Sequence, residues 1–357
     1  MLKIGKTSTQ IFGLAWWKWI AIILVLFSLT AGMLIPLAPG ILEVSTTVLE
    51  PGLNSNITVI GYGAEFGDDP KNIQVWVVAD TIVLACAETV QVVNKRTIKF
   101  DLELPEFAPT TNAHLFVSTM KSGVIVDPKV FYLRGFRAQG TKNLCVPNGK
   151  IVVPLAGKHF PFKKILYETI RNLYYHVTQW FGMMIILTAA LVYSIIHLAK
   201  GDRRSDIIAS EGVNVALFMG VLGLLTGMLW AKNTWGTYWT GDAKLNGVAM
   251  GMLVYLAYTV LRGSMDEEQK RGRVSAVYNI FAYVMFMVFI MVLPRMTDSL
   301  HPGNGGNPGF GGYDLNSNMR MVFYPAIIGW TLLGVWFINI RVRIKSIEEN
   351  RLSKSHQ

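Results

Sequence analysis

Two histidines and one aromatic stretch carry most of the chemistry this sequence offers. His176 stands in the run YYHVTQWFGMM, and His301 in LPRMTDSLHPGNGGNPGFGG. A neutral imidazole is a good ligand for a transition metal, although a lone histidine is more often a hydrogen-bonded structural group. Between them, residues 230–246 read WAKNTWGTYWTGDAKLN, with Trp230, Trp235, Tyr238 and Trp239, two glycines, then Asp242 and Lys244. Such rings serve at a membrane–water boundary as a plain interfacial belt, because Trp and Tyr have an apolar body and a polar tip. Packed into one compact loop beside glycines and an acid, they also suit a flat platform for a planar apolar ligand.

The elements that must position these residues are membrane spans. The 357 residues are 52% apolar and only 16% charged, against about 25% charged in a soluble protein. Six stretches, 17–37, 177–199, 213–230, 247–261, 274–293 and 321–340, approach the length of about 20 residues that crosses the hydrocarbon core as a helix. The first is long enough to stay as a span, and no A-x-A-like site follows it, so a cleavable signal peptide is not expected. The net charge of +10 gathers next to the spans: in KGDRRSD, in RGSMDEEQKRGR, in the basic tail and at Lys3 and Lys6. These bases mark topology and do not point to nucleic acid. Six spans put all four segments on one side, which the positive-inside bias makes the cytoplasm. The aromatic loop, His176, His301 and residues 38–175 then face outward.

That topology joins the three signals. Two imidazoles and an aromatic platform at one membrane face could hold a haem, with both axial positions filled by histidine. Arg295 and Lys244 could pair with its propionates. His197 and His356 belong to the other face. The Gly-rich run after His301 lacks the ending of a phosphate loop and would let that histidine swing.

Residues 42–157 look strand-rich. NITVIGYG, NIQVWVVAD, TIKFDLEL, AHLFVST and GVIVDPKVFYLRG are short β-branched and aromatic runs between turn signals, which favours a small β-sandwich acting as a binding or docking module. Cys86 and Cys145 lie there, on the side where a disulfide persists; spacing alone leaves their pairing open. His114 and His159 read as structural. The expected organisation is a first span within 1–41, the outer β domain at 42–157, an amphipathic pre-membrane segment at 158–175, a five-helix membrane domain at 176–340 and a basic tail at 341–357. The fold class is thus a six-helix transmembrane bundle with an inserted extracytoplasmic β-sandwich-like domain.

YYHVTQWFGMM, LTGMLWAKNTWGTYWTGDAKLN and DSLHPGN, in this order, resemble the WWD-motif haem-handling proteins of cytochrome c biogenesis, and within them the haem exporter protein C (CcmC) family. The resemblance covers roughly 175–340. It implies that His176 and His301 are the axial ligands of a b-type haem and that Trp235, Tyr238 and Trp239 form its platform. Asp242 stands at the family's acidic position, and Lys244 where an arginine is usual. The implied role involves no catalysis: haem is held at the outer face of the bacterial inner membrane and passed to a periplasmic chaperone of the CcmE type, together with CcmA–CcmB-like transporter components. Two departures stand out: Gly241 replaces the tryptophan before the aspartate, and the 42–157 domain replaces a short loop. Two alternatives are a CcsA-type cytochrome c synthase, which usually carries intramembrane histidines and a WDPKE ending, and a non-haem anchor displaying the β domain.

Overall fold

A computed structural model describes residues 16–67, 72–138, 145–146, 157–297, 299, 301 and 315–355. The chain divides into two compact units, residues 1–34 with 169–357, and residues 35–168.

The first unit is helical. Its elements are α1 (Trp16–Leu34), a 3-10 turn (Tyr167–Tyr174) that leads into the unit, α2 (Val177–Lys200), α3 (Arg203–Trp235), α4 (Ala243–Gly263), α5 (Glu268–Met287) and α6 (Ser317–Ser355). Among the described residues, six helical stretches are long and apolar enough to cross a membrane, as the hydropathy pattern predicts, and the chain is a multi-pass membrane protein. Within a bilayer the backbone must satisfy its own hydrogen bonds, so these runs have no alternative but helix.

Helix limits follow local chemistry and depart from apolarity in instructive places. Gly201, at φ 68°, closes α2 by donating to His197 O, and Asp202 at once caps α3 by accepting from the backbone of Arg204 and Ser205. The KGDRRSD segment, expected as a linker, is therefore a two-residue turn followed by helix, because an aspartate at N-cap starts a helix wherever it meets three free N–H groups. At the other end α3 continues past Trp230 to Trp235, where Gly236 at φ 80° stops it. α5 runs on through a π turn at Val288–Val292 into Leu293–Met296. Pro294 explains that turn, since its ring clashes with a regular helix and removes a donor. Within the expected pre-membrane segment 158–175, Tyr167–Tyr174 forms a 3-10 helix with Ile170 and Tyr174 buried.

Small residues let the helices approach. A Cβ on Gly220 would meet Met183 Sδ at 2.9 Å and Met252 Sδ at 2.5 Å, and one on Gly329 would meet Leu24 and Val25 of α1 within 3.0 Å. Close packing of this kind replaces the missing hydrophobic drive between helices in lipid. Toward the start of α3, Arg262 donates both guanidinium nitrogens to buried Asp206 at 2.7 Å, and Arg341 donates to Glu211 at 2.5 Å.

The second unit is the β domain. Its strands are β1 (Gly40–Val44), β2 (Val48–Leu49), β3 (Asn54–Tyr62), β4 (Gln74–Ala79), β5 (Ile82–Cys86), β6 (Val90–Asn94), β7 (Thr97–Glu103), β8 (Phe107–Ala108), β9 (Asn112–Thr119), β10 (Gly123–Leu133) and β11 (Arg137–Ala138). They form a sheet β1-β3-β7-β6, a sheet β2-β10-β9-β4-β5 and the pair β11-β8. β4 and β7 alternate buried and open positions along their length, the period-2 pattern of strands with one face on a core. Ile57, Val59, Val77, Ile98, Leu102, Leu115, Val117 and Phe131 fill that core at 0% exposure.

Cys86 and Cys145, 59 positions apart in sequence, are joined by a disulfide with Cα atoms 6.1 Å apart. A bridge closing a loop of this length stabilises by about 4 kcal/mol through the unfolded chain. Cys86→Ser/Cys145→Ser is expected to lower β-domain stability by about that amount, measured by thermal unfolding of the full protein, with the helical signal unaffected.

Candidate functional site

His176 immediately precedes α2. The preceding 3-10 turn delivers it there: the His176 amide donates to Asn172 O at 2.7 Å, Arg171 donates to Gly32 O at 2.8 Å, and the Tyr175 hydroxyl donates to Leu29 O at 3.1 Å. The last turns of α1 thus fix where α2 begins. The imidazole then lies on α3. A Cβ on Gly227 would stand 2.6 Å from His176 Cε1, and one on Gly223 would stand 2.7 Å from the Trp180 indole. Only glycine leaves room for both rings.

Nδ1 of His176 lies 2.8 Å from Gly223 O and 3.3 Å from Thr226 Oγ1. The carbonyl can only accept, and the threonine hydroxyl spends its proton on Leu222 O or Gly223 O. Nδ1 therefore carries the hydrogen, which leaves a lone pair on Nε2.

His301 repeats this arrangement with different partners. Its Nδ1 lies 2.8 Å from Asp242 Oδ1, and the Asp242 side chain is fully buried. Asp242 also caps α4, accepting from the backbone amides of Lys244 and Leu245 at 2.9 and 3.3 Å. One carboxylate therefore orients the imidazole and starts the helix. Trp235 stands edge-on to the His301 ring at 4.9 Å and Trp230 lies tilted at 5.7 Å, while the two indoles meet at 4.8 Å. Burial holds the His301 pKa below the ordinary imidazole value; the Asp242 carboxylate pushes it back up and the Lys244 ammonium pushes it down. The imidazole is thus neutral at pH 7, the form in which Nε2 can donate to a metal.

Both histidines pack against α3. Gly223, Gly227 and Trp230 follow one another along a single face of α3 at helical spacing, with His176 against the glycines and His301 against the tryptophan. Among the described residues, neither Nε2 has a hydrogen-bond partner.

The other predicted residues divide. Trp235 packs directly on His301. Tyr238 and Trp239 lie between α3 and α4 at 51% and 39% exposure, with Lys232 Nζ 5.5 Å above the Tyr238 ring and Trp239 Nε1 donating to Asn246 Oδ1. Lys244 and Arg295 lie within electrostatic range of one another, and Lys244 acts on His301. Around Gly241 a Cβ would meet nothing within 4 Å, so the ring absent there leaves open space. His197 donates to Asp202 O at the far end of α2, away from the site. His356 and the Gly-rich run 303–312 lie outside the described residues. Sequence reasoning gave no role to Gly223, Thr226 and Gly227, and the family resemblance left Trp230 out of the platform. The spacing 223/227/230 was the available signal, once α3 is known to continue to Trp235.

Comparison with known proteins places the chain in a family. The family described as CcmC, Heme exporter protein C, matches residues 160–357. Proteins named Heme exporter protein C are similar: that of Bradyrhizobium diazoefficiens is 29% identical over 47% of this chain, that of Paracoccus denitrificans 24% over 52%, and that of Escherichia coli K12 22% over 49%. The aligned parts span 63%, 76% and 70% of those relatives, so the first is covered over less than two thirds of its length. The chain belongs to the CcmC family.

Two outcomes test the Asp242–His301 pair. Asp242→Ala removes a cap worth about 1 kcal/mol and a hydrogen bond to a charged group worth about 1.5 kcal/mol or more. Asp242→Asn keeps the cap, so thermal unfolding should show the smaller loss for Asn. The pH dependence has a defined sign. With the folded His301 pKa below the unfolded value near 6.5, the unfolded chain takes the proton first. Stability from this residue is complete above pH 6.5 and declines as pH falls toward the folded pKa. Unfolding midpoints at pH 7.5 and 5.5 should therefore differ more for the wild type than for His301→Ala.

Proposed function

We propose that this chain is a haem-binding membrane protein of cytochrome c maturation, whose cargo is a b-type haem held between His176 and His301. The observation that carries the reading is the pair of imidazoles with Nδ1 engaged and Nε2 open, ranged along one face of α3. An iron–porphyrin would bring four donors of its own and could take the neutral imidazoles of His176 and His301 as its protein ligands. Hydrogen bonds from Nδ1 to a carbonyl and to a carboxylate are the partners that fix ring orientation and strengthen a metal-ligating histidine.

Each neighbouring group then has a task. Trp230 and Trp235 wall the site with apolar surface, and Tyr238 and Trp239 extend it where they stand half-exposed. Lys244 and Arg295 supply the cations for two propionates. The two sides differ in a useful way. His176 is seated between helices, while His301 belongs to a connection between α5 and α6 and rests against Trp230 and Trp235. The first is suited to hold, the second to exchange. This supports delivery of haem to a carrier, with no catalytic turnover. The relatives' name, Heme exporter protein C, supports the same cargo.

The remaining expectations join this proposal. The membrane is the bacterial inner membrane, both termini are cytoplasmic, and the β domain lies in the periplasm, where the Cys86–Cys145 bridge is in keeping with an oxidising compartment. The recipient is a CcmE-like haem chaperone, and CcmA- and CcmB-like transporter components are the membrane partners.

The test is the visible spectrum of the detergent-purified protein. Wild type is expected to show a Soret band that is lost or strongly shifted in His176→Ala/His301→Ala. A double variant with an unchanged band would remove both histidines from the reading, and a wild type colourless even after haem addition would end it.

A further inference from the structure

The seam between α2 and α5 is polar along much of its length. Thr188 Oγ1 lies 2.9 Å from the Tyr283 hydroxyl, and Asn279 Nδ2 donates to Ser194 Oγ at 2.9 Å. One turn beyond Ser194 the His197 ring lies against Gly272, where a Cβ would stand 2.8 Å from Nε2. The helices run antiparallel here, so these pairs are successive rungs leading to the turn that joins α2 to α3. Two side chains on the seam have bonding capacity left over. Asn279 and Ser275 are 0% and 1% exposed, yet Asn279 Oδ1 and Ser275 Oγ have no hydrogen-bond partner among the described residues. Residues four apart on a helix hold their side chains about 5–6 Å apart. That is about twice the length of an O–H···O hydrogen bond, so one water between the two atoms satisfies both. Inside a membrane such groups are otherwise costly, because lipid supplies no partner.

The seam has an entrance. At the α2–α3 turn, His197, Gly201, Arg203, Asp206, Glu268 and Gln269 line a cavity of about 160 Å³. Two of its walls continue inward: His197 Nε2 and Asp206 Cγ flank Gly272, 2.8 and 3.3 Å from where a Cβ would be. Gly272 lies one turn before Ser275 on the same helix. Charged groups thus border the mouth, and a neutral hydroxyl and amide lie deeper. Past Asn279 the lining turns apolar, with Ala282 and Phe286 fully buried.

We propose that water enters the bundle at this cavity and runs along the α2–α5 seam as far as Asn279, with one molecule bridging Ser275 and Asn279. Asn279 lies about 16 Å along α5 from Glu268, so the file reaches about halfway through a hydrocarbon core of about 30 Å. Polar side chains that face a bundle interior mark paths of this kind. A metal cation fits less well. Asp206 gives both its oxygens to Arg262, and the two deeper residues carry no charge. None of the residues of the haem site takes part, so the inference is independent of haem binding.

Silver ion tests this in the full detergent-purified chain, because it is close to water in size and attacks a thiol where water reaches it. The chain has two cysteines, and they are bridged to one another, so an introduced thiol is the free one. Ser275→Cys and Asn279→Cys should be blocked about tenfold faster than Ala282→Cys and Val277→Cys, since a thiol in dry apolar surroundings does not ionise. The readout is loss of later alkylation in denaturant. Ala282 is buried on the same helix, and Val277 is 57% exposed on its outer side. Gly272→Leu, added to Ser275→Cys, fills the way in from the cavity and should slow the reaction to the Ala282→Cys rate. Thermal unfolding near the wild-type midpoint qualifies each variant. Should Gly272→Leu not meet it, the comparison of Ser275→Cys with Ala282→Cys decides alone, because serine to cysteine is nearly isosteric. A Ser275→Cys thiol as slow as Ala282→Cys would overturn the proposal, and so would a rate indifferent to a folded Gly272→Leu.

Discussion

The hydrogen bond from His176 Nδ1 to Gly223 O is the interaction on which the rest of the membrane unit depends. It joins the first residue before α2 to the middle of α3, and it needs a carbonyl within reach of a ring. That is possible because Gly223 and Gly227 carry no side chains to hold the helices apart. The same closeness makes α3 a shared wall, with the imidazole of His176 on one stretch and the indole beneath His301 on the next. α1 contributes from outside the pair, since its last turn accepts hydrogen bonds from Arg171 and Tyr175 and so sets the level at which α2 starts.

Much of this was legible in the sequence. Six spans followed from apolar length, the strands of the β domain from period-2 patterning, and both histidines and the aromatic stretch from residue type and order. What stayed hidden were matters of rotation and ending. Hydropathy reports that a span exists but not which residues face a neighbour, so Trp230 read as one ring among several and the two glycines as ordinary small residues. Helix ends are decided by single capping groups, which is why 203–206 and 231–235 turned out helical although their charges and aromatics suggested connections. The disulfide was undecidable for a related reason: a separation of 59 positions between Cys86 and Cys145 says nothing of where packed sheets will bring two chain segments together.

The site is asymmetric in its supports. A backbone carbonyl in a helix cannot leave without breaking the helix, so the His176 side is rigid. A carboxylate at a helix start has more than one way to satisfy its oxygens, so the His301 side is adjustable. The same contrast recurs in the surroundings, with buried helix contacts around one ring and half-exposed aromatic residues near the other. An imbalance of this sort suits a protein whose cargo must arrive and depart without the fold opening.

Asp242 Oδ1 serves two clients. It accepts from the first amides of α4 and from His301 at the same atom, so these donors compete for one pool of electron density. Withdrawing the imidazole concentrates that density on the helix start and firms α4. Drawing the imidazole closer does the reverse and enriches Nε2. The start of a transmembrane helix and the donor strength of a nitrogen are therefore two ends of one balance, and each reports on the other.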